Sequence, residues 1–535
     1  MDEATRKELI RLQKRLFREN RTKIRDVEVE SPPLYRRYEA AYDKATRRFQ
    51  RVSDIDELTR ACREADIVYC GDYHTLAQSQ KAFVKLLRRI TARSKRRLVI
   101  GLELVQGKFQ PAIDRYLAGR IAERTFLQRI DYRTHWPYDI WDNYKPIFDF
   151  ARDGGHRILA LECNHDESNN LHARDSYAAW RIAELFHQFP EAKVCVLIGE
   201  LHVAPPHLPA NVTHNLETVG LKRRSVTVYQ NCEEIYWKLL ASGAQESEVV
   251  RIDRHQWCLI NTPPVVRQQS YLDWIDYDEG ALEYSGLAVN FRRLAEGIAK
   301  FLRINVKDAF SGLAVYGPGE TEFMPEVERE FDSGAAKLLR KRIEAHESFF
   351  LHELDILYLG RIGTNFAGEA AAHFVRQIVS GWSADVPVRD AIYSHMLHKA
   401  LGFFGSKVIN HKRKAAHLPA FHKVLREMQE GRRPPDDREA LVAGLVVTHK
   451  RWERGAHSPA FSSWFHQDEE TLSRAVRALG YLLGEKLYYA LIRGVVSRSE
   501  VRELFEQPMS SESEAASTYF HWVARVGKTR IPKRI

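Results

Sequence analysis

The sequence predicts an α/β fold in its N-terminal half, a mostly parallel sheet with flanking helices, followed by a mainly α-helical C-terminal domain. Three observations carry this. Between residues 53 and 262 short apolar runs alternate with segments of helical periodicity, the pattern of strand-helix units stacked around a parallel sheet. Four of those runs end in acidic or histidine residues. After about residue 265 most of the chain reads as helices, and Asn261-Thr262-Pro263-Pro264 supplies the break, because paired prolines stop regular structure.

Taken in order, the first fifty residues read as a polar helix to about Glu19, a break at Pro32-Pro33 and a basic helix ending before Ser53. The first strand, Ile67-Val68-Tyr69-Cys70, leads into Gly71-Asp72-Tyr73-His74. The second, Arg97-Leu98-Val99-Ile100, leads into Gly101-Leu102-Glu103. The third, Ile158-Leu159-Ala160-Leu161, leads into Glu162-Cys163-Asn164-His165-Asp166, and the fourth, Val194-Cys195-Val196-Leu197-Ile198, into Gly199-Glu200-Leu201-His202. Helices over 76–93, 144–152 and 172–189 join them, the first with Phe83, Leu86, Leu87 and Ile90 at helical spacing. Runs at 225–229 and 249–260 are expected as edge strands. Helices are expected near 289–302, 334–345, 365–379, 388–404, 440–453 and 470–492, with no fixed-period repeat among them.

A chain of 535 residues exceeds what one hydrophobic core supports. The expected division is an N-terminal helical extension at 1–52, an α/β domain at 53–262 and a helical accessory domain at 263–535. With 44% hydrophobic residues the chain has ample material for burial. Its net charge of +10 comes from 81 basic residues interleaved with 71 acidic ones, unlike the clustered footprint of a nucleic-acid binder, so nucleic acid is not an expected partner. No apolar run of about 18 residues points to a membrane span. The charged start, Met1-Asp2-Glu3-Ala4-Thr5-Arg6-Lys7, lacks the apolar stretch of a secretory signal, and a cytoplasmic location is expected. Six cysteines without CxxC spacing sit mostly in apolar runs, as buried reduced thiols do. The sequence leaves a homodimer open.

In parallel α/β sheets ligands sit beyond the carboxyl ends of the strands, where loops diverge from a rigid scaffold. Here those ends supply Asp72, His74, Glu103, Glu162, His165, Glu200 and His202. The two Gly-acid-x-His segments look like a duplication, with glycine expected to let the backbone bend sharply. His74 and His202, with Glu103 between them in sequence, can face one cavity as imidazole and carboxylate ligands for a divalent transition metal, or as acid and base without one. Asp72 and Glu200 are expected to hold the two histidines, and Glu162 and His165 are further supporting candidates. The plainer reading of each residue is a helix cap or a hydrogen-bonded core group.

These motifs, with Gln78-Ser79-Gln80, residues 110–117, and Tyr144-Lys145-Pro146-Ile147 between them, resemble the ChaN-like haem-binding uptake domain of the Tiki superfamily over about 55–220. The superfamily also takes in erythromycin-esterase-like enzymes and the Tiki metalloproteases. The resemblance implies a pocket lined by His74, Glu103 and His202, and a haem- or iron-associated binding protein whose partner is haem or another small molecule. The alternative it implies is a metal-dependent hydrolase of esterase or peptidase type, using manganese, cobalt or zinc, with the same trio as ligands or catalytic groups. Tyr73, His74 and His202 are the candidate cofactor contacts; Tyr138 is a second available tyrosine, and no CxxCH motif occurs. An interaction protein with a decayed site is the third reading.

Outside this region Glu369 and His373, one helical turn apart, and the nearby His346-Glu347 and His352-Glu353 pairs invite a metal reading. They fit neither HExxH nor a ferritin-type set.

Overall fold

The computed structural model describes residues 3–27, 32–92, 96–136, 139–163, 170–278, 283–284, 286–381, 387–434, 436–455, 464 and 467–532. Two compact units are present: Asn20–Trp274 is one, and Met1–Glu19 with Ile275–Pro532 is the other.

The first unit is built on an eight-stranded sheet. Its strands are β1 (Arg51–Ser53), β2 (Ile67–Asp72), β3 (Leu98–Gln106), β4 (Arg157–Glu162), β5 (Lys193–Gly199), β6 (Ser225–Gln230), β7 (Val249–Arg251) and β8 (Gln256–Leu259), in the order β1-β7-β8-β6-β2-β5-β3-β4. From β8 to β4 every neighbouring pair is parallel, and β7 and β1 add antiparallel pairings at one edge. The four expected strands are all present. The run at 225–229 is not an edge strand but lies inside the sheet between β8 and β2, and 249–260 folds back on itself as β7 and β8. Residues 51–53, expected to close a helix that in fact stops at Thr46, pair with β7 instead.

The central strands are buried at nearly every position, so they read as continuous apolar runs rather than as alternation. The helices Ala77–Thr91 and Trp141–Asp153 lay Phe83, Leu86, Leu87, Ile90, Tyr144, Ile147 and Phe148 into the same core as Val68, Cys70, Ile100, Leu102, Cys195 and Leu197. Each such side chain contributes about 1.5–3 kcal/mol by leaving water. Truncating fully buried Phe83 to alanine therefore removes about 3–5 kcal/mol.

The chain leaves β2 toward β3 and leaves β5 toward β6, in opposite senses across the sheet. With right-handed crossovers the connecting helices fall on opposite faces, and the carboxyl ends of the adjacent strands β2 and β5 border the crevice where such sheets take ligands.

The second unit is mainly helical. The expected helices appear as Leu287–Leu302, Ser333–Glu344, Thr364–Ser380, Val388–Ile409, Arg438–Trp452 and Glu469–Ile492. A small sheet of Ala314–Tyr316, Ile356–Tyr358 and Phe349–Leu351 also forms, from runs of three residues too short to register as strands. No helix among the described residues is long and apolar enough to cross a membrane.

Candidate functional site

The register of the sheet assembles the site. Asp72 at the end of β2 pairs with Gly199 at the end of β5, and β5 pairs on its other side with β3, which carries Glu103. Glu103 lies where the β3–β4 register shifts, between Leu102 and Gln106. Glu103 from within β3 and the histidines just beyond β2 and β5 therefore converge.

His74 Nδ1 lies 2.9 Å from Asp72 Oδ2 and 3.0 Å from the Tyr144 hydroxyl. Asp72 is fixed in turn, accepting from the Tyr144 hydroxyl on one oxygen and from Gln80 Nε2 at 2.7 Å on the other. With Nδ1 so engaged, His74 Nε2 faces Glu103 Oε2 at 4.0 Å. On the far side of the same carboxylate His202 Nε2 stands 3.9 Å from Glu103 Oε1, and its Nδ1 is 2.7 Å from Asp175 Oδ1. Both imidazoles are thus turned by an aspartate so that Nε2 points at one glutamate. His74 is 26% exposed at its side chain and lies edge-on to Trp136, whereas His202 is 4% exposed.

Glu103 is held from two more directions. The Gly199 N–H donates to Oε2 at 2.5 Å and Arg174 pairs with Oε1, while Arg174 also reaches Glu162 at 2.8 Å. Burial alone would raise the Glu103 carboxyl; the charges of Arg174, His74 and His202, with the Gly199 N–H, overcome it and hold the group well below the usual carboxylate range. For His74 burial lowers the pKa, but the Asp72 hydrogen bond and the Glu103 charge outweigh it and the net direction is up. Burial pushes the Glu162 carboxyl up despite Arg174.

The two motif glycines work by close approach, not by a sharp bend, for neither has a positive φ. A Cβ on Gly71 would meet Glu200 Cβ at 3.2 Å, and one on Gly199 would meet Glu103 Oε2 at 3.3 Å, His202 Cδ2 at 3.4 Å and His74 Nε2 at 3.6 Å. Residue 199 thus borders the space that the trio encloses.

Of the two acids expected to hold the histidines, Asp72 lies on His74 and Glu200 does not lie on His202. Residues Glu200–Val203 form a single 3-10 turn, and Glu200 accepts from the Tyr42 hydroxyl at 2.9 Å and pairs with Arg267, not with His202. Burial raises its carboxyl even against Arg267. Arg267 also stacks over the Tyr73 ring at 4.3 Å; burial pushes the Tyr73 hydroxyl up to about 12. The group that orients His202 is Asp175, on the helix Leu171–Gln188, whose start is fixed by the Asn170 side chain accepting from the His172 and Ala173 N–H groups. The Tyr38 hydroxyl donates to the other Asp175 oxygen at 2.6 Å, and its ring stacks on His207 at 3.6 Å. Arg174, Asp175, Tyr38 and Tyr42 went unread. The helix cap at Asn170 is the one sequence signal that bears on Arg174 and Asp175, since it sets their phase. His165 and Tyr138 lie outside the described residues.

Among the described residues no group of three or more His, Cys, Asp or Glu side chains is arranged to hold a metal ion. At the trio, Arg174 occupies the carboxylate that a cation would need. A haem iron asks for less, a single imidazole nitrogen; the His74 side chain is partly exposed beside Trp136, with its Nε2 turned toward Glu103. A cavity of about 680 Å³ lined in part by Tyr132, Arg133, Asp139 and Trp141 lies in the same unit, but none of the trio lines it.

Comparison with known proteins bears on the same segment. No curated protein matches the chain. A solved structure of cofacial haem binding to ChaN of Campylobacter jejuni is similar at 13% identity over 34% of this chain and 87% of that one, with a TM-score of 0.27, too slight a likeness to argue from. Residues 58–173, which hold Asp72, His74, Glu103 and Tyr144 and stop short of Arg174, Asp175 and His202, match the family described as haem-binding uptake, Tiki superfamily, ChaN.

Proposed function

We propose that residues 20–274 form a haem-binding module in which His74 supplies the axial nitrogen. The observation that carries this reading is the state of the His74 ring. Its Nδ1 is committed to Asp72 and Tyr144, its Nε2 makes no hydrogen bond among the described residues, and the ring is partly exposed beside Trp136. An Nδ1–H donated to a carboxylate fixes the tautomer and makes Nε2 a stronger donor to a metal. The family match over 58–173 supports the same ligand. His202, buried and edge-on to Tyr38 at 5.9 Å, braces Glu103 in this reading and does not touch the iron. Titrating haem into the purified protein tests it. A saturable Soret band, lost in His74→Ala and retained in His202→Ala, is the expected result; a featureless titration of the wild type overturns it.

A metal-dependent hydrolase is the second reading, favoured by the two carboxylate-oriented imidazoles aimed at one glutamate. Metal bonds of about 2.0–2.2 Å require His74, Glu103 and His202 to draw inward and Arg174 to leave Glu103. Stoichiometric manganese, cobalt or zinc in the purified protein, lost from the His74→Ala and His202→Ala variants, would put this reading ahead.

A further inference from the structure

The helical unit contains a second polar cavity that the strand-end site does not explain. Glu369 and His373 on the helix Thr364–Ser380, Lys399 on Val388–Ile409 and Arg477 on Glu469–Ile492 line it, with Glu347 and Arg361 from the neighbouring loops. Its volume is about 60 Å³. A single buried water needs roughly 10–15 Å³ on this scale, so there is room for a few waters or one phosphate-sized ion and none for a porphyrin.

The pairing of charges around this cavity is lopsided. Glu369 is committed: Arg413 Nη2 reaches its Oε2 at 2.7 Å and the Tyr481 hydroxyl lies 2.8 and 2.7 Å from its two oxygens. Glu347 is engaged by Arg342 Nε at 3.6 Å and the Ser473 hydroxyl at 3.3 Å. Lys399 and Arg477 have no carboxylate within 4.0 Å among the described residues, although the close packing of Gly480 against Lys399 Cβ holds their helices together. Among the described residues Arg361 has only the Phe366 ring, at 5.5 Å. His373 is 7% exposed, its ring stacks on His398 at 3.8 Å, and its Nε2 has no hydrogen-bond partner among the described residues. Burial and the positive charges nearby push the His373 imidazole down to about 3 and the His395 imidazole to about 4, as a region short of negative charge does.

The Glu369 and His373 pair that the sequence offers as metal ligands is therefore set in cationic surroundings. We propose that the cavity binds a small oxyanion of the phosphate class, free phosphate or the end of a phosphomonoester, between Lys399 and Arg477, with Arg361 at its rim and His373 Nε2 at its wall. Arginine and lysine together supply the fork of donors and the point charge that phosphate oxygens take. The anion would meet a need for negative charge that the committed carboxylates leave standing.

The test is calorimetric titration of inorganic phosphate into the full-length protein at fixed ionic strength with chloride as the background anion. Saturable binding is expected, weakened about tenfold or more in Arg477→Gln and in Lys399→Gln, as loss of a charge-assisted contact implies. Arg477→Lys, which keeps the charge, should retain part of the affinity. Arg474→Gln removes an exposed charge from the same helix, paired with Glu470, and should bind as the wild type does. Thermal unfolding of each variant separates lost binding from lost fold. No saturation in the wild type, or an equal loss in Arg474→Gln, overturns the proposal. Displacement of phosphate by glycerol phosphate would extend the site to monoesters, and failure to displace it would restrict the site to the free ion.

Discussion

The carboxyl ends of β2 and β5 carry the same Gly-acid-x-His pattern and use it differently. At β2 the acid of the motif holds the histidine of the motif, Asp72 on His74. At β5 the acid turns away to Tyr42 and Arg267, and the histidine is held by Asp175 from a helix. A repeat in sequence is therefore not a repeat in structure. What the two ends share is the outcome, an imidazole with Nδ1 on an aspartate and Nε2 on Glu103. The difference lies in exposure, which leaves the His74 ring partly in solvent and His202 enclosed.

The strongest way to break this comparison is to remove what joins the ends. Glu103→Ala leaves Arg174 with Glu162 as its one carboxylate among the described residues, and a loss of about 3 kcal/mol is expected in urea unfolding at neutral pH. A carboxylate held below its unfolded value stabilises the fold above about pH 4.3 and stops doing so as the pH falls through its folded value. The difference between Glu103→Ala and wild type should accordingly shrink in acid, and a constant difference would show that charge is not its source.

Next in size, Asp175→Ala strands His202 Nδ1 and leaves the Tyr38 hydroxyl to His172 Nδ1 at 3.1 Å, and should cost about 1–3 kcal/mol. Nitrogen NMR sharpens the point: the His202 tautomer should change in Asp175→Asn and stay as it is in Glu200→Gln. A His202 shift in Glu200→Gln would restore the symmetry of the two motifs.

A smaller effect distinguishes His74. Its pKa is raised, and a protonated imidazole cannot ligate iron, so haem affinity should climb as the pH rises through a midpoint above the usual 6.5 or so. Asp72→Asn should move that midpoint down, and a flat profile in the wild type would count against His74 as the ligand. Smallest of all, Tyr73→Phe keeps the ring under Arg267 and should change stability by no more than about 1 kcal/mol, with the haem spectrum unaltered. A lost Soret band there would transfer ligation to the tyrosine.

Much of this was legible in the sequence because buried parallel strands write themselves as unbroken apolar runs, and the residue after each run falls at the rim. That placed Asp72, His74, Glu103 and Glu162. Asp175 and Arg174 were not legible because a helix is read by its apolar face, and a charged residue within one says nothing of its partner. Glu200 was misread because a 3-10 turn redirects side chains within one residue, which motif spacing does not reveal. Tyr38 and Tyr42 sit in a helix whose charged residues mask a buried aromatic edge.

Gly199 gives the site an aperture. Its missing side chain is what keeps Glu103, His74 and His202 from being plugged, and its N–H is already spent on the glutamate. One methyl group there would press on Glu103 Oε2 at 3.3 Å, and the carboxylate would have to give by a few tenths of an ångström. The residue at this position is thus a gauge of how closely the three side chains can gather around the end of β5.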